Sequence, residues 1–323
     1  MVKKLTVIAL FSAMVFMIGV ACQNTLIAPA SYSAKLIDNQ ISSDSPDWVL
    51  RSPDNKPSPR YKAAMAYDSA RQKMVLFGGS DDETWEWDGT DWTLRTPIHK
   101  PTGRYGHTLA YDSARGKVVL FGGETFTHFS DETWEWDGTD WTSITPVHKP
   151  APRMFHAMTY DPARRKVVLV GGQDAIHYYT DTWEWDGADW IEKTPFYKEL
   201  GECGSNITYD VNSRNVVLMR EVGWFTETWR WNGINWAMTS PANPTSRCSH
   251  CLTYDSKRGY LVLSTGDETW KFDGAKWILE SPSTKPAARW GHVMAYDSTR
   301  DKIVLFGGVA GCYPNNETWE WGY

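Results

Sequence analysis

The chain has 323 residues, of which 19 are Trp, and its 33 Lys and Arg stand against 39 Asp and Glu for a net charge of -6. That acidic balance, with no basic run to offset it, excludes the usual signature of a nucleic-acid partner. Each buried indole removes about 150 to 250 Å² from water, so the tryptophans alone supply ample core for one large domain.

At the N-terminus, Lys3 and Lys4 precede an apolar stretch from Leu5 to Val20, which Ala21-Cys22 ends. A basic start, a short apolar centre and small residues before a cleavage point make residues 1–22 an export signal, and the stretch is too short for a comfortable membrane span. Ile18-Gly19-Val20-Ala21-Cys22 resembles a bacterial lipobox, with Gly19 where Leu is usual. The resemblance implies cleavage before Cys22 and acylation of its thiol; an ordinary signal peptide and a secreted protein are the alternative. Residues 23–46, rich in Ser, Asn, Ala and Pro, read as a flexible tether. The expected location is the bacterial cell envelope, with membrane contact only through the N-terminal lipid.

From residue 47 to 323 the chain repeats itself. Trp85-Glu86-Trp87-Asp88-Gly89-Thr90-Asp91-Trp92 returns at Trp134 to Trp141, Trp183 to Trp190, Trp229 to Trp236 and Trp270 to Trp277, and a sixth copy starting at Trp319 is cut off at Tyr323. Its missing tail stands at the other end of the domain, where Asp47-Trp48-Val49-Leu50-Arg51-Ser52-Pro53 matches Asp91-Trp92-Thr93-Leu94-Arg95-Thr96-Pro97. A unit completed only by joining the two ends predicts a closed ring. The copies recur every 41 to 49 residues, a spacing suited to four-stranded propeller blades. All Trp but Trp224 and Trp290 occupy repeat positions.

Within the second unit, Arg104 to Tyr111 predicts the first strand and Asp112 to Gly116 a turn. Lys117-Val118-Val119-Leu120-Phe121 is a continuous apolar run of the kind buried on both faces. Gly122-Gly123 ends it where a Cβ would be crowded or φ positive. Glu132 to Trp136 predicts the third strand with both indoles on one face, and Asp137-Gly138-Thr139-Asp140 turns into Trp141 on the fourth.

These units resemble the kelch repeat family. Pro152-Arg153-Met154-Phe155-His156, the strand from Val167 to Gly172 and the later Trp190 carry the likeness. It implies an all-β, six-bladed kelch-type β-propeller closed by an N-terminal outer strand. Departures cluster in blades four and five, where Gly-Gly becomes Arg220-Glu221 and Thr265-Gly266, the Arg position becomes Glu202, and a Trp becomes Phe272.

Four cysteines follow Cys22, and in an exported protein an even number suggests disulfides. Cys203 and Cys248 occupy equivalent positions on neighbouring blades, so Cys203–Cys248 with Cys251–Cys312 is the preferred pairing among three. A soft-metal site from Cys248, His250 and Cys251 is the alternative, although its spacing matches no established zinc pattern.

Strand alternation brings the loops between strands two and three, and those between blades, to one face. There the repeat breaks. Phe126, Phe129, Tyr178, Tyr179, Trp224 and Tyr313 lie in loops of unequal length, and an uneven aromatic rim suggests a surface for a protein or a glycan. Beneath it stand Arg60, Arg104, Arg153, Arg247 and Arg289, with His107, His156, His250 and His292 three residues after four of them. Arg104 and Arg153 are candidate ligand contacts for a carboxylate. The competing reading gives every repeated arginine to loop carbonyls and blade acids. No catalytic motif occurs, and no metal or other cofactor is expected. The function expected is a monomeric binding or scaffolding propeller; the alternative is a carbohydrate-active enzyme, since kelch-like propellers include sugar epimerases, mutarotases and oxidases.

Overall fold

A run such as Lys117-Val118-Val119-Leu120-Phe121 can be stable only as a strand covered on both sides, and every blade has one at its second position. In the computed structural model, which describes residues 45–79, 81–197, 205–222, 225–240 and 250–323, these runs form strands Lys73–Phe77, Lys117–Phe121, Lys166–Val170, Asn215–Val222, Tyr260–Ser264 and Lys302–Phe306. The four apolar residues after the leading Lys of Lys117–Phe121 are fully buried. Side chains alternate along each run, so successive residues enter different inter-blade cores. Met74 and Leu76 pack with Val304 and Phe306 of the preceding sheet, while Val75 and Phe77 pack with Val118 and Leu120 of the next.

Six four-stranded antiparallel sheets are present among the described residues. Their innermost strands, Ala64–Asp68, Thr108–Asp112, Ala157–Asp161, Asn206–Asp210, Cys251–Asp255 and Val293–Asp297, touch in that order and the last touches the first. The protein is therefore an all-β propeller in which each sheet is a blade. The last blade is completed from the other end of the chain: strand Asp47–Arg51 pairs antiparallel with Thr318–Gly322, with Trp48 opposite Trp321. Residues 1–44, with the expected leader, Cys22 and most of the tether, lie outside the described residues, and no described helix is long and apolar enough to cross a membrane.

Hydrogen bonds carried by the repeat tie every blade but the fifth to its predecessor; the indole nitrogen of Trp277 in blade five has no partner. The indole of Trp141 donates to Thr84 Oγ1 at 2.8 Å, Trp190 to Thr133 at 2.9 Å, Trp236 to Thr182 at 3.0 Å, Trp92 to Thr318 at 2.8 Å, and Trp48 to Thr269 at 2.8 Å. A second set joins third strands: Trp136 donates to Glu86 at 3.2 Å, Trp185 to Glu135 at 3.2 Å, Trp231 to Glu184 at 3.1 Å and Trp87 to Glu320 at 3.2 Å. This explains one departure from the repeat. Blade four carries Arg230 where the acceptor Glu belongs, and blade five carries Phe272, which has no N–H to satisfy. Blade five in turn has Lys271, and the indole nitrogen of Trp321 is left without a partner.

The first strand is shorter than the sequence predicted. Arg104–Tyr105 pairs with Glu124–Thr125 as a separate small ladder, and the blade strand starts at Thr108. Gly106, at φ 62°, breaks the extended backbone between them. Gly-Gly ends the second strand for the expected reason: Gly78 and Gly79 have φ of 71° and 88°, and a Cβ on Gly78 would lie 2.8 Å from Arg104 O. Blade four needs no such stop, because its second and third strands run on through Arg220–Glu227 and Glu221–Thr226 pairs.

The pairing of Cys251 with Cys312 is not formed. Cys251 is a free thiol, whereas Cys312 is disulfide-bonded. Cys251 opens an innermost strand and packs in the core between blades five and six, where its thiol donates to His292 O at 3.0 Å. Cys312 lies in the turn between Val309–Ala310 and Tyr313–Pro314 on the loop face. Cys203 and Cys248 lie outside the described residues.

Candidate binding face

On the loop face, the chain after each buried arginine makes one left-handed step. Lys62, Gly106, Phe155 and Gly291 occupy equivalent positions two residues past Arg60, Arg104, Arg153 and Arg289, with φ of 54°, 62°, 57° and 66°. Their backbones link across blades: Lys62 N donates to Gly291 O at 2.8 Å, Gly106 N to Lys62 O at 3.1 Å, and Phe155 N to Gly106 O at 2.8 Å. Glycine suits such a position, and a residue with a side chain costs about 1 to 3 kcal/mol there. Two of the four nevertheless carry side chains. Phe155 lies over Gly106, where a Cβ would meet its ring at 2.9 Å, and Lys62 lies over Gly291.

The residue between the arginine and this step adds Tyr61, Tyr105 and Trp290. Tyr61 is central, with its ring centroid 5.1 Å from Trp290 and 5.6 Å from Tyr105. The Lys62 ammonium sits 4.6 Å from the Phe155 ring centroid and 5.8 Å from that of Trp290, distances at which a cation is drawn to an aromatic face. All five side chains are half-buried, so the group is anchored below and open above. Burial, with the Tyr61 hydroxyl and Asp81 nearby, raises the Tyr105 pKa above its ordinary value. Trp290 was visible in the sequence as a Trp outside the repeat; Lys62 and Phe155 could have been found by noticing side chains where equivalent units have Gly106 and Gly291, and Tyr61 and Tyr105 as the residues in register with Trp290.

Around this mouth stand hairpins on blades two, three and six, built on the ladder of Glu124–Thr125 with Phe129, the bridges joining Met154, Gln173 and Tyr178, and the pairing of Val309–Ala310 with Tyr313–Pro314. Blades one and five have short loops instead, which leaves the wall uneven. Phe126, Tyr178 and Tyr313 project from the hairpins at 78%, 62% and 79% exposure. Phe129 is half-buried beside Glu124, and no described rim aromatic stacks on one from another hairpin. Tyr179 is tied down: its hydroxyl donates to Asp174 at 2.7 Å and its ring lies 4.0 Å over the Arg153 guanidinium. Trp224 lies outside the described residues.

Arg104 and Arg153, taken from the sequence as ligand contacts, do not reach the surface. Arg104 is fully buried and donates to Thr102 O, Gly122 O, Ser130 Oγ and, at 2.6 Å, Glu132. Arg153 donates to Ala151 O, Gly171 O and both oxygens of Asp181. Each guanidinium is consumed in holding its own loop, because the bidentate donors that suit a carboxylate ligand suit the loop acid equally. The histidines are core groups too. His107 Nε2 lies 3.1 Å from Phe77 O and His156 Nε2 2.6 Å from Thr108 Oγ1. Burial pushes the pKa of His107 and His292 down to about 3 and that of His156 well below its ordinary value, helped by the adjoining arginines. Among the described residues no three His, Cys, Asp or Glu side chains are grouped to hold a metal ion.

No protein-family model and no curated protein matches the chain. Among solved structures it is similar to one titled "Structure of YjhT", with a TM-score of 0.64 at 13% sequence identity, over 82% of this chain and 95% of that one. What the two share at that identity is the propeller fold.

The opposite face is built differently. The axis of the ring holds a cavity of about 390 Å³ lined by Met65, Leu109, Met158, Ile207, Leu252 and Met294, and it reaches the ring of repeat tyrosines from Tyr67 to Tyr296. Burial raises the hydroxyl pKa of Tyr67 and Tyr254 to about 12, so the ring is neutral at any physiological pH. Six near-identical units around an axis give that end little to distinguish one side of a ligand from another. The loop face, by contrast, is asymmetric where it is aromatic.

Proposed function

We propose that this protein is a kelch-type propeller, exported to the bacterial cell envelope and held there by acylation of Cys22, that binds a protein or carbohydrate ligand as a monomer on its loop face. The observation that carries the reading is the open cluster of Trp290, Tyr61 and Tyr105, packed edge-on and tilted, with the Lys62 ammonium beside the Trp290 ring. Tyr and Trp faces offer large rigid contact area at small entropic cost, and they suit both the apolar side of a sugar ring and a peptide side chain. Lys62 and Phe155 keep left-handed backbones that glycine would fill more cheaply, which fits side chains retained for contact rather than for folding. Phe126, Phe129, Tyr178 and Tyr313 would widen the same surface from the surrounding hairpins.

A glycan array and an envelope pull-down with the soluble domain, each repeated with Tyr61→Ala and Trp290→Ala, test this. Central aromatic contacts cost about 2 kcal/mol or more when truncated, roughly a thirtyfold loss of affinity. Retention of every wild-type ligand by the double variant would remove the mouth as the site. Anchoring is checked separately: wild-type protein partitions into detergent and incorporates palmitate, and Cys22→Ser does neither.

A further inference from the structure

The turn that follows each innermost strand, Tyr-Asp-x-x-Arg, sends its charges away from the ring axis. Arg71, Arg115, Arg164, Arg258 and Arg300 each pair with the Asp of their own turn. Four of them reach out to a glycine in the next blade: a Cβ on Gly138 would fall 2.7 Å from Arg71, one on Gly187 2.7 Å from Arg115, one on Gly233 2.5 Å from Arg164 and one on Gly89 2.6 Å from Arg300. Blade four has Ser213 in the arginine position, and its hydroxyl donates to Asp210 at 2.6 Å. Tyrosine hydroxyls are committed to the turns as well. Tyr67 donates to Thr299 Oγ1 at 2.7 Å and Tyr296 to Asp301 at 2.9 Å, which leaves the rings to line the axis. Among the described residues, no Asp, Glu, Lys, Arg or His lines the axial cavity of about 390 Å³.

Uncharged does not mean apolar here. Each innermost strand is the terminal strand of its sheet, and no ladder joins it to the innermost strand beside it. Along an antiparallel pair alternate residues bond the partner strand, so the others aim their N–H and C=O groups at the free edge, and six such edges close around the axis. Backbone groups enclosed in this way require partners. The regularity of the wall also fails in one layer. At the position before the tyrosine, blades six, one and two carry Ala295, Ala66 and Ala110, whereas blades three, four and five carry Thr159, Thr208 and Thr253. Among the described residues, none of these three hydroxyls is engaged by another group. One residue earlier every blade is apolar, from Met65 to Met294, so the alanine side is greasy throughout and the threonine side is mixed. The cavity extends to the exposed turn residues Ser113, Pro162 and Ser256, and so opens at the turn face.

We propose that the axial cavity binds a neutral polyol of monosaccharide size, entering from the turn face, with its hydroxyl edge on Thr159, Thr208 and Thr253 and its apolar face on the alanine side. The volume lies at the small end of the roughly 300 to 1,000 Å³ of ligand pockets. An acid or an amine would be desolvated there with no opposite charge to meet it. A polyol brings donors and acceptors together, as strand edges of mixed N–H and C=O require and a hydrocarbon cannot. Water serves the threonine side but is held poorly against the alanine side, and an apolar face gains affinity by displacing such water. The site is separate from the loop-face mouth and independent of the ligand bound there.

Saturation-transfer NMR on the whole protein tests this, with glucose, galactose, mannose and sorbitol as neutral probes and glucuronate as their charged counterpart. At least one neutral probe should bind saturably with a dissociation constant in the millimolar range, and glucuronate at least tenfold more weakly. Thr159→Val, Thr208→Val and Thr253→Val together keep the shape of the wall, remove its free hydroxyls and should lower affinity at least tenfold. Thr208→Val alone should lower it about fivefold, the worth of one neutral hydrogen bond. Tyr61→Ala with Trp290→Ala, on the loop face, should leave this binding unchanged. Absence of saturable binding by every neutral probe, equal binding by the triple variant, tighter binding of glucuronate, or loss of binding in the loop-face variant each overturns the proposal. Should the triple variant fail to fold, Thr208→Val alone decides it.

Discussion

Replacing Trp48 by Ala is the sharpest test of how the ring closes. Trp48 is 1% exposed, its ring centroid is 5.4 Å from that of Trp321, and its indole donates to Thr269 of the neighbouring blade. Burying an indole is worth about 4 to 6 kcal/mol by area, an upper bound because the unfolded chain is not fully extended. Large-to-small changes of this kind cost about 3 to 5 kcal/mol, and the lost indole bond adds about 1 kcal/mol. A total near 4 to 6 kcal/mol is a large part of the roughly 5 to 15 kcal/mol that holds a domain together. For a domain somewhat above 250 residues, at about 2 °C per kcal/mol, the melting temperature should fall by roughly 8 to 12 °C. Hydrogen exchange should also quicken in Thr318–Gly322, which loses its outer partner. Val49→Ser, on the same strand but 51% exposed, is the control and should move stability by no more than about 0.5 kcal/mol. If Trp48→Ala melts with the wild type, the strand is not a structural part of the last blade and closure through the N-terminus is wrong.

Three further outcomes follow from the interior. Glu86→Ala should cost about 2 to 4 kcal/mol, since it strands the Trp136 indole and the partly exposed Arg71, whereas Glu86→Ala with Trp136→Phe should cost at least about 1 kcal/mol less than the two separate losses, as denaturant titration of the four proteins would show. The buried histidines set the response to mild acid: their folded pKa values lie below the unfolded one near 6.5, so the unfolded chain takes up protons first and stability must fall as pH drops below about 6.5. Denaturation midpoints at pH 7 and 5.5 should differ by roughly 1 kcal/mol for each of His107, His156 and His292, and a midpoint unchanged over that range would refute their neutrality. Cys251, its thiol pushed up to about 12 by burial, should resist iodoacetamide at pH 8 in the native protein and react once it is unfolded; rapid native labelling would contradict its placement in the core.

How much of this was legible in the sequence depends on whether a residue serves the unit or breaks it. The indoles, the apolar second strands, the Gly-Gly stops and the join between Trp48 and Trp321 all obey the repeat, so spacing alone located them. The same regularity misled about Arg104 and Arg153. Pattern says where an arginine stands; only the acids folded back onto it, Glu132 and Asp181, say that its donors are used up. The loop-face mouth was nearly invisible, because Lys62 and Phe155 are ordinary residues whose significance lies in a positive φ, and Tyr61 one whose significance lies in the rings it meets. Cys251 was misassigned for a related reason, since an even count of cysteines carries no information about which thiols point inward.

The departures in blades four and five were visible at once but had no evident logic until the partners were known. A blade in this ring is half a binding site for the next: the Glu of one third strand exists for the indole of the following one, and the arginine of one turn exists for the glycine of the next. A change on one side therefore releases its neighbour from constraint. Arg230 in place of Glu makes a Trp at position 272 unsatisfiable, and Phe stands there. Lys271 does the same to Trp321, which kept its indole and has an unpartnered nitrogen. Ser213 in place of Arg frees the ground above Gly274, and there the compensation is missing altogether, since no side chain has grown into the space. A fourth pair fails on the same seam, where the Trp277 indole nitrogen finds no partner in blade four, so of the four broken pairs one is repaired, two leave an indole unsatisfied and one is left open.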